Sequence, residues 1–347
     1  MLENEFFIQR CFDLAKLGSG YTSPNPAVGA VLVHEGRIIG EGYHKKYRQA
    51  HAEVNALASV KTSDIPLIPQ STLYVSLEPC CIHGHTPPCT SLILDKRIPQ
   101  VVISAFDHTP GVNGQGVQLL RQAGVAVTTS VMADRGERLS APRNVFATRH
   151  RPYIILKYAK TADGFMARKD NRPAWISSEY SKRLVHKWRS ESDAIMVGTH
   201  TALVDNPSLT NRYYFGKSPL RIVPDRDLSL PPTLSLFDPT APTLVASRLN
   251  KTNTKNITYL QIPDWGQMLT VLLDYLYKAK IGILLVEGGP ALLSSFIIAN
   301  YWDEARVFTS PAYWHDGLRA PLLPSSPAIT RQLGPDTLEV FFNNALI

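Results

Sequence analysis

Short runs rich in valine, isoleucine and leucine alternate with segments of helical period along nearly the whole chain. "GAVLVHEGRIIGEG" reads as two strands joined by a His-Glu-Gly turn, "HAEVNALASV" as a helix, and "STLYVSLEP" as a strand stopped by Pro79. "TSLILDKR", "VVISA", "GVQLLRQAG" and "VAVTTSV" continue as helix, strand, helix and strand. Such alternation demands a sheet with helices on both faces, an α/β class. A second alternating set starts at "YIILKYA" and runs through "SDAIMVG", "LRIVPD", "TLVAS", "IGILLVEGG" and "ARVFTS". Between the sets, residues 138–152, "RLSAPRNVFATRHRP", are polar and basic with two prolines, which predicts a boundary. The chain has 347 residues, more than one ordinary core holds. Two domains are expected, residues 1–147 and 148–347.

Charge narrows the partners. Residues 1–147 carry 13 Lys/Arg against 12 Asp/Glu, and residues 148–347 carry 23 against 17. The excess is modest and dispersed, unlike the dense basic stripe of a nucleic-acid binder, and fits acidic small molecules such as phosphates. No apolar run approaches the roughly 18 residues of a membrane helix, and "MLENEFF" lacks a basic segment before an apolar stretch. Three of the four cysteines crowd into one stretch, which is not a secreted disulfide framework. A cytoplasmic protein with reduced thiols, no nucleic-acid partner and no membrane association is the expectation.

That cysteine-rich stretch, "SLEPCCIHGHTPPC", follows a strand, and His51-x-Glu53 opens a helix upstream of it. His51, Cys80 and Cys89 supply one nitrogen and two sulfurs, a donor set that suits tetrahedral zinc with a fourth position left for water. Zinc brings the ionisation of such a water close to neutral pH. Glu53 need not bind the metal; it can move protons between that water, a ring nitrogen and a leaving ammonia. Mid-helix, residues two apart point about 200° away from each other, so the two converge only if the metal sits off the helix's first turn. A structural site would take Cys81, His83 or His85 as a fourth ligand, but it would leave Glu53 without a role. H-x-E followed by P-C and a second cysteine is the pattern of the zinc deaminases.

The second cysteine comes nine positions after the first. With "HAEV", "EPCCIHGHTPPC", "PNPAVGAVLV" and "DHTPGVNGQG", this half resembles the deaminase of the bifunctional diaminohydroxyphosphoribosylaminopyrimidine deaminase / 5-amino-6-(5-phosphoribosylamino)uracil reductases of riboflavin biosynthesis. The resemblance implies a three-layer, cytidine-deaminase-like domain and a pyrimidine contact from Asn25. Two places depart from the family pattern: Cys81-Ile82 stands for Ser-His, and His85 for Arg. An arginine holds a substrate phosphate as a permanent charge; His85 does so only when protonated or as a neutral donor.

The later half lacks a G-x-G-x-x-G. "VEGGP" alone is more often a tight strand-to-helix turn than a phosphate site, and "LVDNPSLTNR" alone reads as a turn. Together with "RPYIILKYAKTADG", "WISS" and "DAIMVGTHTALVDNPSLTNR", however, they resemble the reductase half of the same family. That resemblance implies a dihydrofolate-reductase-like α/β domain using NADPH. By it, Ala159, Trp175, Thr201, Asp205 and the segment Gly289, Pro290, Ala291, Leu292, Leu293, Ser294 and Ser295 hold the cofactor. Lys157, Pro173, Arg189, Leu209, Arg212 and Glu287 face the substrate, with Pro173 where the family has Ser. Arg189 and Arg212 offer planar forks for a ribose phosphate. The expected chemistry is zinc-dependent hydrolytic deamination of a phosphoribosylaminopyrimidine, then reduction of the ribosyl side chain to ribityl. A homodimer or higher homo-oligomer through the reductase half is also implied.

Overall fold

The computed structural model describes residues 3–84, 86–170 and 176–343. The chain divides into two compact units, Met1–Arg151 and Pro152–Ile347.

The first unit runs α1 (Glu3–Lys16), β1 (Gly29–His34), β2 (Arg37–Tyr43), α2 (Ala52–Ala58), β3 (Thr72–Leu77), α3 (Cys89–Asp95), β4 (Gln100–Ala105), α4 (Gln115–Gln122), β5 (Ala126–Thr128) and α5 (Ala133–Arg149). Its sheet has the order β2-β1-β3-β4-β5, antiparallel at β1 and parallel from β3 to β5. The turn between β1 and β2 places Glu35 (φ 46°) and Gly36 (φ 75°) in the left-handed region, the conformation a two-residue hairpin needs. Strand alternation sends Ala30, Leu32, Leu73, Val75, Val101 and Ile103 to one face, against α2, α3 and α4. It sends Val31, Val33, Tyr74 and Val102 to the other, against α1. Both faces are covered, so β1 and β3 are buried on nearly every residue and mostly apolar.

Residues 138–152, where a boundary is expected, are mostly the end of α5, with Pro142 inside the helix, and the division at Arg151/Pro152 follows directly after it. The residues that α5 buries include Gly136 and Ser140. A Cβ on Gly136 would lie 2.3 Å from Ser104 Oγ, so the close packing relies on small residues that carry no hydrophobic signal.

The second unit holds β6 (Tyr153–Lys160), β7 (Phe165–Ala167), α6 (Glu179–Glu191), β8 (Ala194–Met196), α7 (Thr199–Asp205), β9 (Leu220–Pro224), β10 (Thr243–Ser247), β11 (Ile257–Gln261), α8 (Met268–Lys278), β12 (Ile283–Val286), α9 (Pro290–Ile298), β13 (Glu304–Thr309), β14 (Leu318–Arg319), β15 (Ile329–Leu333) and β16 (Asp336–Phe342). The large sheet has the order β11-β10-β9-β8-β12-β6-β13-β16-β15. It is parallel from β11 to β13, and β16 and β15 add an antiparallel edge. Ile154, Leu156 and Tyr158 of β6 pack in the core with residues of α8 and α9. Lys157 and Ala159 therefore point to the opposite face, where Phe308 of β13, paired with Ala159, stacks on Trp188 of α6. The chain leaves β8 toward β9 and leaves β12 toward β13, in opposite directions along the sheet. The carboxyl ends of β8 and β12 are thus a topological switch point, where α/β sheets open a crevice.

Candidate active sites

In the first unit, His51 is the residue before α2 and has extended backbone (φ −71°, ψ 168°), while Glu53 lies in the helix's first turn. This offset removes the opposition that two mid-helix residues would suffer. Cys80 follows the end of β3, and Cys89 is the first residue of α3. His51 Nδ1 lies 3.5 Å from Cys80 Sγ and 3.3 Å from Cys89 Sγ. All three ligand atoms fall within 4.8 Å of one another. These separations are close to the roughly 3.5 Å edge of a tetrahedron with bonds of about 2.0–2.3 Å, so the residues fit zinc. Thr86 Oγ1 sits 3.5 Å from the other ring nitrogen of His51 and can hold the ring's orientation. The hydrogen bond from the Cys89 thiol pulls the Cys80 thiol down to about 4, with His51 and the Cys89 N–H adding to it. Burial pushes the Glu53 carboxyl up, opposed by His51. A carboxyl that is 4% exposed and raised in this way is suited to carrying protons.

Cys81 stands apart from the ligand group. Its thiol points to the carbonyl of Gly111 at 3.5 Å. Asn25 Nδ2 lies 3.4 Å from Nε2 of the buried His44, whose Nδ1 donates to the carbonyl of Ala50 at 3.0 Å. A carbonyl only accepts, which fixes the imidazole tautomer and makes Nε2 the acceptor for Asn25. Glu78 accepts N–H bonds from Asp107, Gly114 and Val117 and pins the 107–117 segment beside Pro79 and Cys80. Sequence reasoning missed both roles. Glu78 lies inside the quoted cysteine-rich stretch, whereas His44 falls just past the quoted hairpin and carried no signal. His85 lies outside the described residues.

In the second unit, Lys157, Arg189 and Glu287 meet on the α6 side of the sheet. Arg189 grips Glu287 with two bonds, Nε to Oε1 at 3.0 Å and Nη2 to Oε2 at 2.8 Å, and donates to the carbonyl of Thr210 at 3.1 Å. Lys157 Nζ is 4.0 Å from Glu287 Oε2. Burial alone would raise Glu287, but Arg189 and Lys157 override it and hold the carboxyl at about 2. Lys157 is pulled below the usual ammonium range, since burial outweighs its attraction to Glu287. The expectation that Arg189 presents a free fork to a phosphate is corrected: Glu287 already occupies that fork. The Arg212 side chain is exposed and its guanidinium donates to Thr210 Oγ1 at 3.1 Å.

Around the crevice, the N–H of Gly289 donates to Thr201 Oγ1 at 2.9 Å, which ties the start of α9 to α7. Ala159 lies on β6 and Asp205 at the end of α7. Leu292 and Leu293 are buried in the core, and Leu209 is buried with φ 55°. Any ligand contact from these three therefore runs through the main chain. Pro290 has no N–H to give, Ala291 is exposed, and Ser294 and Ser295 are half-buried. Trp175 and Pro173 lie outside the described residues. Gly288 has no room for a side chain, since a Cβ would meet the Gly198 nitrogen at 2.4 Å and Val197 Cα at 2.7 Å. Backbone atoms cannot rotate away, so Gly288→Ala is expected to destabilise this unit by roughly 2 kcal/mol or more. Denaturant unfolding checks it, and a shift under about 0.5 kcal/mol would contradict the close packing of β8 and β12.

The family model for the cytidine and deoxycytidylate deaminase zinc-binding region matches residues 1–105, and that for the RibD C-terminal domain matches residues 152–319. The riboflavin biosynthesis protein RibD of Aquifex aeolicus is 38% identical over 319 residues, covering 90% of this chain and 88% of its own. The chain belongs to the RibD family. RibD of Chlamydia pneumoniae is 35% identical, over 96% of this chain and 91% of its own. A Thermotoga maritima crystal structure, a diaminohydroxyphosphoribosylaminopyrimidine deaminase / 5-amino-6-(5-phosphoribosylamino)uracil reductase, superposes with a TM-score of 0.88 at 33% identity, over 97% of this chain and 98% of that one. In keeping with its RibD relatives, the chain joins a zinc-binding deaminase domain to a reductase domain. It is a hydrolase and an oxidoreductase of riboflavin biosynthesis acting on a small molecule. Among the described residues, no helix is long and apolar enough to cross a membrane.

Proposed function

We propose that the first unit hydrolytically deaminates 2,5-diamino-6-(5-phosphoribosylamino)pyrimidin-4(3H)-one. The second then reduces the ribosyl side chain of 5-amino-6-(5-phosphoribosylamino)uracil to ribityl with NADPH. The observation that carries this reading is the convergence of His51 Nδ1, Cys80 Sγ and Cys89 Sγ in a chain whose other unit builds the Lys157–Glu287–Arg189 cluster. The activity for which the Thermotoga maritima relative is named supports the substrates.

His51, Cys80 and Cys89 hold zinc, which when bound supplies an acidified water at neutral pH. Glu53 takes a proton from the attacking water, delivers it to a ring nitrogen and then assists the departing ammonia. Asn25, its amide oriented by His44, hydrogen-bonds the pyrimidine. In the second unit, Thr201, Asp205, Ala159, Trp175 and the 289–295 segment hold NADPH, which supplies the hydride. Lys157 and Glu287 bind the ribosyl hydroxyls and align C1 of its open form. Arg212 takes the phosphate. The family resemblance supports a cytoplasmic homodimer joined through the reductase units.

The test uses zinc-loaded protein and the diaminopyrimidine substrate, with NADPH added once ammonia release has levelled off. Ammonia followed by a stoichiometric loss of NADPH absorbance is expected. A chelator is expected to abolish ammonia release and leave NADPH oxidation of pre-deaminated substrate intact. The ligand loop lies outside the sheet core, so the far-UV spectrum is expected to persist without zinc. Unfolding on chelation would instead make the metal structural.

A further inference from the structure

Helix α6 carries a stripe of three polar side chains, Lys182, His186 and Arg189, at the i, i+4, i+7 spacing that shares one helix face. All three engage the segment 210–213, in reverse order along it. Arg189 donates to the carbonyl of Thr210 at 3.1 Å. The Nδ1 of His186 accepts the main-chain N–H of Arg212 at 3.0 Å. The His186 ring meets the Tyr213 ring edge to face, 4.7 Å between centroids, and Lys182 Nζ caps the Tyr213 ring at 4.4 Å.

This segment needs such tethering. It belongs to the connection from α7 to β9, which has no regular structure and enters through two left-handed residues, Asn206 (φ 39°) and Leu209 (φ 55°). A long irregular loop keeps one conformation only where side chains hold its backbone. His186 is 3% exposed and can hold it only as a neutral acceptor, because a protonated imidazole has no free lone pair. Burial and the nearby Arg189 and Arg212 charges favour the neutral ring.

We propose that His186 is a positioning residue for the reductase. It fixes the Arg212 main chain so that the Arg212 guanidinium stands ready for the substrate phosphate. Arg189 locks the same segment from the next turn of α6 while holding Glu287, so one helix face sets the spacing between the phosphate contact and the carboxylate. The inference rests on the proposed reductase reading and deepens it.

The decisive pair is His186→Asn and His186→Gln in the full-length chain. Asparagine places an amide oxygen near the position of Nδ1 and can accept the Arg212 N–H; glutamine reaches the position of Nε2 and cannot. His186→Gln is expected to raise KM for the phosphoribosylaminouracil about tenfold, with kcat and the KM for NADPH within about twofold. His186→Asn is expected to stay within about threefold of the wild type. Adding Arg212→Met to His186→Gln is expected to cost no more than Arg212→Met alone, since both act through one contact. An unchanged kcat and NADPH KM in the same samples report that the reductase unit of each variant is folded. Equal KM values for the Asn and Gln variants, or independent additive effects of His186 and Arg212, would overturn the proposal. If wild-type protein does not oxidise NADPH with this substrate, the functional reading fails. Ribose 5-phosphate affinity then judges the inference and must still separate the Gln variant from the Asn variant by about tenfold.

Discussion

Glu53→Gln protein is expected to release ammonia about a thousandfold more slowly than the wild type, with its zinc content unchanged. A positioned proton carrier contributes about 10²–10⁴ in rate. A thousandfold is the middle of that range, and at 4% exposure Glu53 is poorly placed for rescue by solvent. The amide has the same shape, so α2 and the His51 position two residues earlier are preserved. Glu53 is not among the three side chains that converge for the metal, so losing its charge leaves the ligand set intact. NADPH oxidation with pre-deaminated substrate is expected at the wild-type rate, which shows that the loss is local. Ammonia release within tenfold of wild type, measured on zinc-replete protein, would remove Glu53 from the mechanism. Loss of zinc together with activity would make it a ligand or a structural support instead.

What the sequence made legible follows from how each feature works. The alternating strands and helices were readable because a strand covered on both faces leaves an apolar run, as in β1, and a helix covered on one face leaves apolar residues three or four apart, as in α4. The zinc ligands were readable because metal chemistry restricts residue identity, so two cysteines and a histidine in the right order say much without coordinates. Features that depend on small or polar residues in the interior were silent. Helix α5 buries Gly136 and Ser140, and the edge strand β15 leaves Thr330, Arg331 and Gln332 exposed. Pairing across long separations was silent too. Arg189 and Glu287 lie 98 residues apart and Glu78 binds N–H groups up to 39 residues away, so neither partnership has a local signature. Hence Arg189 reads from sequence as a phosphate fork, although its fork is closed on a carboxylate.

That closed fork gives the second large effect. Glu287→Gln is expected to lower reductase turnover at least a hundredfold and to destabilise the second unit by about 3–5 kcal/mol, the cost of leaving buried charge uncompensated. Arg189 and Lys157 are only 12% and 15% exposed, so water cannot replace the lost carboxylate. The same carboxylate sets a pH dependence. Its folded pKa of about 2 lies below the ordinary value near 4.3, so its contribution is fully present above the ordinary value. It is lost as pH falls from about 4 through about 2, and integrates to roughly 3 kcal/mol. Unfolding measured across that range in the Gln variant is expected to lose this part of the wild-type slope. Stability and chemistry can then be separated by replacing the whole cluster, Lys157→Met with Arg189→Met and Glu287→Leu. Apolar side chains of similar volume commonly match or exceed a buried ionic cluster in stability. Recovered stability without recovered turnover would mean that this charge is retained for binding the substrate. Recovery of both would take Lys157, Arg189 and Glu287 out of the reaction and leave them a packing role alone.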